Sequence, residues 1–62
     1  MRARGTVIAY STDVNAGVIK TSNGDKFLFT KSQWFDPDEP KVDAKVQFIA
    51  EGRNALDVRP YS

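Results

Sequence analysis

Phe27 and Phe29 stand two residues apart in the stretch NAGVIKTSNGDKFLFTK, residues 15–31, with Lys20, Lys26 and Lys31 around them. On a strand, residues two apart share a face. Rings set this way among lysines suit one kind of non-covalent chemistry: bases stack on the rings while ammonium groups meet phosphates. Trp34 and Phe35 supply two more rings nearby. Catalysis has little to stand on. The chain has no Cys and no His, which removes the thiol nucleophile, the commonest general base and the commonest transition-metal ligands. No phosphate-cradling glycine loop or metal-ligand spacing occurs. Asp36-Pro37-Asp38-Glu39 lacks the full ligand loop and central glycine of a calcium site, and reads as a solvated acidic loop. The sequence therefore predicts a binding module and not an enzyme. No catalytic residue, metal, cofactor or small-molecule substrate is expected.

These side chains must be positioned by a very small fold. Sixty-two residues make one domain, 1–62, that buries only roughly 60% of its unfolded surface. Gly5–Tyr10, GTVIAY, is rich in β-branched and aromatic residues and reads as a strand. The turn-forming STDVN follows. Ala16–Thr21 reads as a second strand, in which Gly17 marks a bulge or a close backbone approach. Asn23-Gly24 is a hairpin signal, because both residues tolerate positive φ, so Lys26–Thr30 is a third strand antiparallel to the second. Residues 31–43 form a long loop: KSQW fits one helical turn, and Pro37 and Pro40 bar regular structure. Lys45–Ala50 alternates, with Val46 and Phe48 on one face. Ala55–Arg59 is a fifth strand, with Leu56 and Val58 sharing a face. The expected fold is all-β: a small five-stranded antiparallel barrel of OB type, with an SH3-like barrel as the alternative.

Charge and hydropathy bound the partners. The net charge is +1. Residues 1–35 carry Arg2, Arg4, Lys20, Lys26 and Lys31 against Asp13 and Asp25, a net of +3, and the remainder carries −2. A mildly basic first half is compatible with phosphate contact, although such a split also arises without function. No apolar run approaches the roughly 20 residues of a membrane helix. Arg2 and Arg4 precede no apolar run of signal-peptide length. A soluble, cytoplasmic protein is expected.

Gly5–Ile19, GTVIAYSTDVNAGVI, can be laid without gaps on the opening of the bacterial cold-shock domain, with Gly5, Val7, Gly17 and Ile19 at positions typical of that family. DKFLFTKS resembles its second nucleic-acid motif, where Phe27 matches an aromatic. VDAKVQF resembles the approach to its fourth strand, with Asp43 where glycine is usual. The resemblance implies a five-stranded OB barrel that binds single-stranded RNA or DNA on an exposed sheet face. It places Phe27 and Phe29 outward and Leu28 inward. Without it, both rings read as core, the usual place for aromatics in a small barrel.

The chain departs from the family where that face should be. Ala9, Ala16 and Val18 stand at ring positions, Ile8 and Val14 at lysine positions, and Phe29 at a histidine position. At roughly 1–3 kcal/mol per stacked base, the lost rings imply weak binding. In the nucleic-acid reading, Phe27 and Phe29 stack, Lys20, Lys26, Lys31 and Arg4 hold phosphates, and Trp34 adds a platform. In the alternative, Ile8, Val18, Phe27 and Phe29 make a dry contact with a protein partner or a second copy, because exposed apolar patches mark partner sites. Trp34 and Phe35 also read as caps on the open end of the barrel.

Overall fold

Turn residues between short apolar runs put five strands close to where the sequence predicts them; pairing extends the first, fourth and fifth, while the second ends one residue early, at Lys20. The computed structural model describes residues 2–61. The strands are β1 (Ala3–Ser11), β2 (Ala16–Lys20), β3 (Lys26–Thr30), β4 (Lys45–Glu51) and β5 (Asn54–Pro60). A single 3-10 turn, Lys31–Gln33, follows β3. The order β1-β2-β3-β5-β4 closes into a barrel of OB type, with β4 returning to β1. One seam departs from the purely antiparallel barrel that the sequence predicts: β3 and β5 run parallel, joined at Leu28 and Asn54. The reason is topological. A closed ring with an odd number of strands cannot alternate direction at every seam. The sparsely paired β3–β5 seam is continued by a parallel bridge between Trp34 and Val58.

Val7, Ile19, Phe29, Trp34, Val46, Phe48, Ala55 and Val58 form the core. Each large side chain there contributes about 1.5–3 kcal/mol by leaving water. Two bulges bend the sheet on itself, as closure requires. In β1 the register shifts between Val7 and Ala9, so Ile8 is the extra residue, and Val7 and Tyr10 both turn toward the core. In β5, Asp57 and Val58 together oppose Phe48, and Asp57 takes φ 50°. That shift makes Ala55 and Val58 the buried pair, instead of the expected Leu56 and Val58. Asp43, with φ 75°, makes the positive-φ turn into β4. Its amide donates to Val7 O at 2.8 Å and locks the long loop onto β1.

The β2–β3 hairpin overturns the expected orientation of its rings. A two-residue Asn23-Gly24 loop would pair Ile19 with Leu28 and turn Phe27 and Phe29 outward. The loop instead has three residues. Gly24 N donates to Thr21 O at 3.0 Å, Thr21 N donates to Asp25 O at 2.9 Å, and only Gly24 of the pair takes positive φ, at 92°. The Thr21 hydroxyl reaches Asn23 Oδ1 within the same turn. The added residue moves β3 by one place: Ile19 pairs with Phe27, Val18 with Leu28 and Gly17 with Phe29. A one-residue slip exchanges the two faces of a strand. Phe29 is therefore 2% exposed and Leu28 56% exposed. Phe27 packs against Phe48, with ring centroids 5.1 Å apart.

Gly17 is the floor for the Phe29 ring. A Cβ there would lie 2.6 Å from Phe29 Cζ and 2.7 Å from Ala9 O. Neither neighbour has room to yield, because one is a buried ring and the other is paired backbone. Gly17→Ala should lower stability by about 1–3 kcal/mol, and Phe29→Ala by about 3–5 kcal/mol. Leu28→Ser should stay within about 0.5 kcal/mol of the parent. Thermal or urea unfolding of the three variants checks the hairpin register, and a Leu28→Ser loss as large as that of Phe29→Ala would contradict it.

Candidate functional site

The pairing that sends the rings inward also fixes what lies outside. Following cross-strand partners, one outer row runs Lys45–Thr6–Lys20–Lys26 across β4, β1, β2 and β3. A second runs Ala9–Val18–Leu28, and a third Ser11–Ala16–Thr30. The first row sets three lysines on one line, with Lys20 directly opposite Lys26. Like charges in that relation cost stability. Lys45 Nζ donates to Thr6 Oγ1 at 3.1 Å. Among the described residues, Lys20, Lys26, Lys45 and Arg4 have no carboxylate within 4.0 Å.

Arg4 lies two residues before Thr6 on β1, and its guanidinium sits over the Tyr61 ring at 5.1 Å. Arg4, Lys20, Thr21, Ser22, Lys45 and Tyr61 line an open groove of about 470 Å³. Ala9, Val14, Ala16, Val18 and Leu28 line a smaller apolar groove of about 320 Å³. Ile8, 39% exposed, lies on the wall of the basic groove.

The residues expected at the site divide accordingly. Arg4, Lys20 and Lys26 come together. Lys31 does not: it follows the far end of β3, about 16 Å of strand from Lys26, and pairs with Glu39 at 3.9 Å. Phe27, Phe29 and Trp34 cannot serve as platforms, because their rings are turned to the core. Trp34 is 9% exposed, donates from Nε1 to Asp38 O at 2.6 Å and packs on Phe29, with ring centroids 6.0 Å apart. It caps the barrel. Phe35 is exposed, beneath the Arg59 guanidinium at 5.5 Å. Of the alternative contact set, Ile8 and Val18 remain outside, while Phe27 and Phe29 are replaced by Leu28, Ala9, Val14 and Ala16. Lys45 and Tyr61 were missed. Strand pattern marks neither, since both reach the site only through pairing with β1 and the β4 edge.

Asp57 decides which cations stay free. Its carboxylate accepts from Arg2 Nη1 and from Arg59 Nε, each at 2.8 Å. Arg2 also donates to the carbonyls of Gln47 and Asp57, tying the N-terminal arm across β4 and β5. The Asp57 amide donates to Gln33 Oε1 at 3.0 Å, which plugs the open β3–β5 seam. Two arginines are thus held in structural pairs with Asp57.

No protein-family model matches the chain, and no curated protein matches it.

The Arg59 hydrogen bond, and then that of Arg2, hold the Asp57 carboxyl below its ordinary pKa of 3.8. A carboxyl whose native pKa is depressed adds stability above its unfolded value, and that stability is lost as pH falls through the native one. The parent should therefore lose thermal stability below about pH 3.8 more steeply than Asp57→Asn, which starts lower but lacks this titration. Melting temperatures from pH 7 to pH 2 check it: parallel curves would show that the carboxylate pairs contribute nothing.

Proposed function

We propose that the protein is a non-enzymatic, weak binder of single-stranded RNA or DNA, of cold-shock type in fold but with a different contact surface. The observation that supports this reading most is the lysine row. Three ammonium groups on one line, with Arg4 beside them and no acidic partner among the described residues, set up a local positive field that an anionic backbone relieves. Phosphate contacts of this kind give affinity without sequence preference. The hydroxyls of Thr6 and Ser22 along the groove add donors for phosphate oxygens. The aliphatic residues Ala9, Val18 and Leu28 offer bases apolar contact without the rings expected there, which keeps binding weak. A cytoplasmic site of action goes with this ligand.

A second reading rests on a separate observation, the apolar groove of Ala9, Val14, Ala16, Val18 and Leu28. Exposed aliphatic side chains gathered on one face suit contact with another protein surface, and a second copy of this chain is the simplest occupant.

Salt separates the two. A labelled single-stranded 12-mer should bind with a log–log salt slope of about −2 to −3, since three to four cations each contribute about −0.7 on single strands. Lys20→Ala and Lys45→Ala should each weaken binding and flatten the slope by about 0.7. No binding at low salt, with a dimer by sedimentation that Leu28→Asp dissolves, would replace this reading with the second.

A further inference from the structure

We infer that Tyr61, with Arg4 against it, is a base-stacking position of this face, so that the ligand is a segment of about four nucleotides with one base held flat. This rests on the lysine-row reading, which it sharpens. Weak binding is expected because the rings the resemblance supplied are buried or absent. One ring remains at the right place. Tyr61 N donates to Lys45 O at 3.1 Å, which anchors the residue beside the first lysine of the row. The residue is 37% exposed, and it lines the same groove as Arg4, Lys20 and Lys45.

The other rings are excluded by geometry. Phe29, Phe48 and Trp34 are core, and Phe27 and Tyr10 pack against that core. Phe35 is exposed beneath the Arg59 guanidinium, but it does not line the groove of the lysine row, Arg59 is bound to Asp57, and the ring adjoins Asp36 of the acidic loop. The Arg4 guanidinium at 5.1 Å holds the Tyr61 ring and supplies a cation next to it. A base on this ring would have its flanking phosphates within reach of Lys45 and Lys20. Three lysines and one arginine match about four phosphates. That is the low end of the span of one OB barrel, about 4–16 nucleotides.

Binding of labelled single strands of two to twelve nucleotides tests the site, with the variants Tyr61→Phe and Tyr61→Leu. Tyr61→Phe keeps the flat face, and Tyr61→Leu keeps bulk without it. Expected are parent-like affinity for Tyr61→Phe and a loss of roughly tenfold to a hundredfold for Tyr61→Leu. Affinity should gain little beyond about four nucleotides except from added registers. The Tyr61 ring protons should move upfield on binding, while unfolding of Tyr61→Leu matches the parent. Unchanged affinity in Tyr61→Leu, with Lys20→Ala still weakened, would overturn the stacking position and leave the lysine row standing. No binding by the parent at low salt would overturn both.

Discussion

The contact between Gly17 and the Phe29 ring governs the rest of the barrel. β2 carries glycine where the buried ring of β3 must cross it, and any larger residue would push the strands apart. With that pair in register, Ile19 meets Phe27 and both enter the core. Tyr10 stacks on Phe29 with ring centroids 6.0 Å apart, and Trp34 closes the end of the barrel against it. One ring therefore joins β1, β2, β3 and the loop after it. Its partner condition is the three-residue turn at Ser22-Asn23-Gly24, without which the same sequence would pair with its faces exchanged.

The orientation of β3 divides the resemblance to cold-shock domains into two parts. Gly5, Val7, Gly17 and Ile19, the positions that match, are all on the inner side of the sheet. Gly5 is as tight as Gly17, since a Cβ there would meet Ile19 Cγ2 at 2.5 Å. The positions that depart are mostly outer: Ala9, Val18 and Val14. Likeness in the interior carries architecture, because packing fixes it. Likeness on the outer face would carry ligand chemistry, and there this chain has aliphatic side chains and a line of lysines.

Electrostatics follows the same division of labour. Asp57, in a strained conformation at the β5 bulge, holds Arg2 and Arg59 and with them the N-terminal arm. Glu39 holds Lys31. Among the described residues, the lysine row with Arg4 has no ion pair. Arg2 and Lys31 of the basic first half are thus paired, while Arg4, Lys20 and Lys26 gather with Lys45 in one local patch, in a molecule whose net charge is only +1.

The sequence alone determined the number, order and approximate bounds of the strands, the close approach at Gly17, the shared face of Val46 and Phe48, and the helical turn after β3. Local turn chemistry and alternation carry that information, and neither needs a partner strand. It also held the basic residues Arg4, Lys20 and Lys26, whose spacing survives folding because they lie on adjacent strands. The tertiary structure decided the faces. Phe27, Leu28 and Phe29 are apolar in succession, so β3 has no alternation to read, and a single added turn residue selects which of them goes inside. The bulges at Ile8 and Asp57 reverse parity in mid-strand and leave no local mark. Lys45 and Tyr61 join Lys20 only by closure of β4 on β1, a contact between residues far apart in the chain, and no local pattern encodes which distant strands will be neighbours.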